Sequence, residues 1–209
     1  MTHRCFYPLA IVALFALLVV GAMPTPATTA TDAPAPMVAR AADTPVGGVL
    51  PVVEARGNTT CVINAAGQLY CWGGNSTLPA DLGTVSHASV GGSHTCAITA
   101  GGALHCWGNN WQGQTDVPSD LGAVKQVSAG ESYTCAITAG GALHCWGSNQ
   151  YGPRDVPSDL GTVSQVSAGD YHTCAITEGG ALRCWGRNTD WQGNVTGQTD
   201  VPSGLGTVS

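Results

Sequence analysis

Eight of the chain's nine cysteines stand in four pairs, Cys61 with Cys71, Cys96 with Cys106, Cys135 with Cys145 and Cys174 with Cys184. The members of each pair are ten positions apart, and the second is always followed by Trp-Gly. Such spacing has the look of a metal or redox signature. Zinc, however, needs four ligands around one ion, so a single pair per unit would force two units to converge on it. His105 and His144 directly precede their cysteines, and neighbours along a strand point to opposite faces, which takes them away from the sulfur. No metal and no cofactor are expected.

The segments that carry the cysteines favour a cross-link. Cys96-Ala97-Ile98-Thr99 is β-compatible, Ala100-Gly101-Gly102 can supply positive φ, and Ala103 to Trp107 returns as a second strand. A three-residue loop sets Thr99 against Ala103, so Cys96 falls opposite Cys106, and Cys135 opposite Cys145 by the same count. Directly paired antiparallel residues have Cα atoms about 4.5 to 5.5 Å apart, a separation that a disulfide tolerates. The expectation is four disulfides, each within its own hairpin and each stabilising by about 2 to 3 kcal/mol.

The hairpins belong to a longer repeat. The cores 61–72, 96–107, 135–146 and 174–185 begin 35, 39 and 39 residues apart, a period typical of stacked supersecondary units. Length varies in one segment only: Gly73 to Leu82 is four residues short, and Arg187 to Thr199 carries six extra. Variation confined to one segment marks a surface loop. Short strands at Val124 to Ala129 and Val163 to Ala168 add to each hairpin, and the Asp-Val-Pro-Ser-Asp-Leu-Gly segment closes the unit with a proline turn and a brief outer strand. Trp72, Trp107, Trp146 and Trp185 project from the face opposite the sulfur, so both faces of each sheet are filled. Sheets buried on both sides must be stacked, which makes the fold class all-β and the architecture a β-propeller of about four blades.

The N-terminus differs in kind. Residues 1–30 read as a signal peptide, with His3 and Arg4 ahead of an uncharged stretch from Leu9 to Ala22 and small residues at Ala27 and Ala30. The alternative is a membrane anchor, since Phe6 to Met23 could just span a bilayer if left uncleaved. Residues 24–48 form a Pro/Ala/Thr-rich linker with almost nothing to bury, and the repeats occupy 49–209. The expected location is secreted, extracellular or at the cell surface, where disulfides persist. Charged residues make up 10% of the chain and the net charge is −6. With no basic stripe to meet phosphate, nucleic acid is excluded as a partner.

The pattern V-x-x-V-x-A-G-x-x-[HY]-[ST]-x-A-[IL]-x-x-x-G-x-L-x-x-W-G-x-N-x-x-G-Q, met from Leu50 to Ser209, resembles the repeat of the regulator of chromosome condensation (RCC1) family. The resemblance implies an RCC1-like propeller, usually seven-bladed. The Gly-Gln-Thr-x-Val-Pro variant at Gly113 to Pro118 and Gly197 to Pro202 is also similar to an exported bacterial member, the propeller-type β-lactamase inhibitor protein. That similarity implies a partner-binding face at the loops after the Ala-Gly step: Ser132 and Tyr133, Tyr171 and His172, Ser93 and His94, Asn58 and Thr59. Four units do not make seven blades, so the array is expected to be open, truncated or a short ring. Val208-Ser209 aligns with Val163-Ser164 and Pro51 to Val53 with Ser164 to Val166, which would let the two ends complete a shared blade. An open array exposes faces and edges and invites self-association.

Other chemistry weighs less. Asp116, Asp120, Asp155, Asp159 and Asp200 flank Val-Pro-Ser turns, a setting for turn and capping bonds as much as for calcium. His94 and His172 have no recurring nucleophile or paired carboxylate with them, so no catalytic residue and no enzyme activity is expected. The triplets at Asn58, Asn75 and Asn194 fit a glycosylation acceptor or chance alike. What varies between units is the tip after Trp-Gly, which offers Trp111, Tyr151 and Trp191. Variable aromatic loops on a rigid scaffold bind partners. The function expected is thus a secreted or surface-attached, non-catalytic module for a protein partner. The alternatives are an exported enzyme inhibitor and a carbohydrate-binding adhesin that uses those three rings.

Overall fold

Each unit folds as a three-stranded antiparallel sheet, and the computed structural model describes residues 52–208. The expected signal peptide, the linker and Cys5 lie outside the described residues. Blade 1 contains β1 (Val52–Arg56), β2 (Thr59–Ile63) and β3 (Leu69–Gly73); blade 2 contains β4 (Val85–Val90), β5 (His94–Thr99) and β6 (Leu104–Gly108). Blade 3 contains β7 (Val124–Ala129), β8 (Tyr133–Thr138) and β9 (Leu143–Gly147); blade 4 contains β10 (Val163–Ala168), β11 (His172–Thr177) and β12 (Leu182–Gly186). No helix occurs among the described residues.

The hairpins have the register that the loop length dictates. In blade 2 the Thr99 amide donates to Ala103 O at 2.9 Å, and Gly102 takes φ 83°, a conformation that side chains resist. Cys96 therefore sits opposite Cys106, and the other three pairs match it. All four disulfides are formed, with Cα atoms 4.1 Å apart.

The core lies between blades rather than within them. Blade 1 offers Cys61, Ile63, Leu69 and Cys71 to Ala88 and Ala97 of blade 2. Blade 2 offers Cys96, Ile98 and Leu104 to Val127, Ala136 and Trp146 of blade 3. Blade 3 offers Cys135, Ile137 and Leu143 to Val166, Ala175 and Trp185 of blade 4. The sulfur face of each blade thus seats the indole face of the next, and Leu82, Leu121 and Leu160 seal the three seams.

Polar bonds repeat across the same seams. Gln126 of β7 brackets the backbone of Val166 on β10, donating to its carbonyl and accepting from its amide, both at 3.0 Å. Ser89 accepts from the Ala129 amide at 3.1 Å, and Ser128 from the Ala168 amide at 2.8 Å. Arg56 of blade 1 crosses further, donating to Ala129 O at 2.9 Å and pairing with Asp170 of blade 4.

Two expectations are corrected. The Asp-Val-Pro-Ser segments are turns, not outer strands: Asp116 donates back to Gly113 O, Leu121 to Pro118 O, and Pro118 has no amide for a ladder. The ends do not share a blade among the described residues, because β1 pairs with β2 alone and the array is open.

Candidate partner-binding site

The tip loops spring from the Trp-Gly step. Gly108, Gly147 and Gly186 hold φ near 100° (108°, 98° and 104°), where a Cβ would strike the backbone of the strand beside it. Beyond each glycine an asparagine braces the loop: Asn110 donates to Asp116, Asn149 to Asp155 and Asn188 to Asp200, at 2.7 to 2.8 Å. Those three aspartates are thereby committed to turns. Asp159 instead pairs with Arg183, whose hydrogen bond holds its carboxyl below the usual value. No cluster of three or more metal-binding side chains exists among the described residues.

The indoles belong to the scaffold. Trp107, Trp146 and Trp185 each donate through Nε1 to a carbonyl of the preceding tip, Asn75 O, Gln114 O and Pro153 O, at 2.9 to 3.2 Å. Trp72, which meets no preceding blade among the described residues, is 53% exposed.

Two residues expected in the partner-binding loops are seam residues instead. His94 and Tyr133 are fully buried. Their rings lie over Gly91 and Gly130, where any Cβ would collide with them, which explains the Ala-Gly-x-x-aromatic spacing. His94 Nε2 meets the Thr134 hydroxyl at 2.9 Å, and that hydroxyl donates to Gln114 O at 2.8 Å. Thr134 must therefore accept from His94, placing a proton on Nε2, while Nδ1 is buried without a partner; burial, aided by Arg56, pushes the imidazole down to about 4 and so holds it neutral. Tyr133 donates to His172 O at 2.6 Å, and burial pushes its phenol up to about 12. Neither side chain is placed to touch a partner or act on a substrate. Ser132 and Ser93 are half-buried; Asn58 is exposed and Thr59 buried.

The structure does gather three of the expected rings. Tyr171 stands between Tyr151 and Trp191, edge-on to both, with centroids 5.4 and 5.3 Å away. At their centre is Arg187, a residue that the sequence did not single out. Its guanidinium carbon lies 4.1 Å from the Trp191 centroid, 4.6 Å from that of Tyr151 and 5.8 Å from that of Tyr171. Each is cation–π distance. Arg187 is only 8% exposed, donates to Asp190 O, and leaves Nε without a partner. Tyr151 adopts φ 72°, rare for a bulky residue, to bring its ring to this cluster. Clefts flank the ridge: one of about 300 Å³ lined by Ser132, Asn149 and Tyr171, the other of about 460 Å³ lined by Asp170, Arg187 and Trp191. His172 is half-buried beside the second cleft. Trp111 stands apart, 91% exposed and without a ring contact. The one signal for Arg187 was that only the fourth unit follows Cys-Trp-Gly with a cation.

Residues 85–114, 124–152 and 163–192 each match the model of the regulator of chromosome condensation (RCC1) repeat. The chain is an RCC1-like repeat protein. No curated protein sequence matches it. Among solved structures, this RCC1-like chain is similar to the ectodomain of the receptor kinase CR4 from Physcomitrella patens: 23% identity, TM-score 0.56, covering 66% of this chain and 40% of that one. It is also similar to Prp20p from Saccharomyces cerevisiae (18% identity, TM-score 0.55, 69% and 49% covered), a structure described with its binding to Gsp1p and histones. A third is the CRINKLY WD40 ectodomain of the Arabidopsis thaliana receptor kinase ACR4 (25% identity, TM-score 0.50, 64% and 48% covered). The chain spans less than half the length of each.

Proposed function

We propose that this RCC1-like protein is a secreted or surface-attached, non-catalytic module that binds a protein partner through the Tyr151, Tyr171 and Trp191 ridge around Arg187. The observation that carries the reading is the convergence of three rings from two blades, Tyr151 and Trp191 exposed and Tyr171 half-buried, on one buried cation. Edge-to-face aromatics around arginine form a rigid platform that buries much area at little entropic cost, the composition of binding hot spots. Four disulfides and the likeness to two receptor ectodomains support an oxidising, extracellular setting.

The test is an array of exported and surface proteins probed with the oxidised chain and with a Tyr171→Ala/Trp191→Ser variant. Signals that fall at least about tenfold in the variant support the reading. Binding confined to a glycan array would replace it with the adhesin, and saturable β-lactamase inhibition lost in the same variant would narrow it to the inhibitor. Signals that all survive the double substitution would remove the ridge from the account.

A further inference from the structure

The tip loops of blades 2 and 3 share their turn bonds, Gly113 to Asn110 O and Gly152 to Asn149 O, but differ at two positions that decide whether the space beneath is filled. In the blade 2 tip the Gln114 side chain is fully buried. Its carboxamide donates to Asn109 and accepts from the Gln112 amide, both at 2.9 Å. In the blade 3 tip Pro153 stands for Gln114 and Ser148 for Asn109. Trp146 donates to Gln114 O as Trp185 does to Pro153 O, and a Cβ on Gly147 would meet Gln114 where one on Gly186 would meet Pro153. A proline and a serine cannot rebuild the carboxamide plug. A cleft of about 300 Å³ opens there over the third seam, with Ser148 and Pro153 in its lining.

Polar side-chain ends converge on this cleft without being spent on the protein. Among the described residues the Gln112 and Gln150 carboxamides, the Ser132 hydroxyl and the Tyr171 phenol carry no hydrogen bond. Asp170 adds the carboxylate oxygen that Arg56 does not hold. The Tyr171 ring and the buried Pro153 supply apolar wall. An anion would meet Asp170 with no cation in the lining, and a cation would meet a carboxylate already compensated by Arg56. A wholly apolar group would strand the amides. What fits is a neutral group that donates and accepts at several points and also has an apolar face.

We infer that the cleft binds a single neutral pyranose unit, whose hydroxyls ring its edge and whose C–H bonds line its faces. The C–H face lies on Tyr171, and the hydroxyls are shared among Gln112, Gln150, Ser132 and Asp170. The volume stands at the small end of the range for ligand sites, about 300 to 1,000 Å³, which suits one ring rather than a chain. The site adjoins the ridge without being part of it: of the ridge residues only Tyr171 lines the cleft. It therefore does not rest on the protein partner proposed above.

The test is two-dimensional amide NMR of the oxidised, isotope-labelled full chain, titrated to tens of millimolar with glucose, galactose, mannose and N-acetylglucosamine. Each is added free and as its methyl glycoside, with N-acetylalanine methylamide as the peptide control. At least one pyranose is expected to move the Gln112 and Gln150 side-chain signals saturably; glycosides that bind as well mark the end of a glycan, and free sugars alone mark a free ligand. Ser148→Asn/Pro153→Gln copies the blade 2 tip, refills the cleft and is expected to abolish the shifts, with its unfolding transition checking the fold. Gln150→Ala, at an exposed side chain, is expected to weaken binding about fivefold, the loss of one hydrogen bond, and keeps the test if the refilled variant does not fold. No response to any pyranose, an equal response to the methylamide, shifts that survive refilling, or undiminished affinity in Gln150→Ala would overturn the inference.

Discussion

Blades 3 and 4 carry almost the same residues, ESYTCAITAGGALHCWG from Glu131 and DYHTCAITEGGALRCWG from Asp170, yet they live in different surroundings. Cys135 and Ile137 are fully buried; Cys174 and Ile176, in the same register, are half-buried. Nothing in either hairpin accounts for this, since strand pairing and disulfide are the same in both. Burial here belongs to the neighbour. A blade is completed by the sheet stacked on it, as expected of a quasi-one-dimensional array.

The disulfides sharpen this contrast most. Both close loops of the same length, so Cys174→Ala/Cys184→Ala should cost about 3 kcal/mol, the chain-entropy contribution alone. Cys135→Ala/Cys145→Ala should cost that plus about 1 to 2 kcal/mol for packing lost in the third seam. Chemical denaturation of the two double variants reads the difference, and equal losses would break the comparison. The sealing leucines follow. Leu160→Ala should cost about 3 kcal/mol, whereas Leu205→Ala should stay within about 0.5 kcal/mol in the monomer.

Protonation separates two seams of otherwise similar build. His94 in the second seam is neutral when folded, its value depressed from 6.5 to about 4, while Tyr133 in the third is pushed up to about 12 and does not titrate near neutrality. The unfolded chain binds the extra proton, so the His94 contribution is complete above about 6.5 and is lost as pH falls toward 4, up to about 3 kcal/mol. His94→Tyr, which copies blade 3, should flatten the stability profile between those values; an unchanged profile would show that the imidazole is not the source.

The smallest contrast lies between Thr95 and Thr134. The Thr134 hydroxyl is fully bonded, but Thr95 Oγ1 is buried without a partner, beside the tip loop that is four residues short. Thr134→Val should cost about 1 to 2 kcal/mol, and Thr95→Val should be neutral or mildly stabilising.

These contrasts also mark how far the residues alone could be read. Hairpin register and disulfide pairing were legible because both follow from a three-residue loop. The two-faced sheet was legible from Cys-Trp adjacency, and with it the stacked propeller, whereas open, truncated and short-ring arrays fitted the sequence alike. His94 and Tyr133 were misassigned because the Ala-Gly-x-x-aromatic spacing fixes a ring over a glycine without telling which side of a seam it fills. The outer strand failed because the proline of each Val-Pro-Ser turn has no amide to offer a ladder. Arg187 was missed because its surroundings come from three rings far apart in sequence, Tyr151, Tyr171 and Trp191. No local pattern announces such a cluster.

If repeated residues build the stack and the unrepeated ridge binds, the most direct measurement is the affinity of the best array partner for three purified chains. Surface plasmon resonance would compare wild type with Tyr171→Ala and with Trp111→Ala, the ring that stands alone. The expected result is a loss of at least about tenfold for Tyr171→Ala and no change for Trp111→Ala, because hot-spot energy concentrates in clustered, desolvated rings. Equal losses, or none for Tyr171→Ala, would contradict the assignment of binding to the ridge.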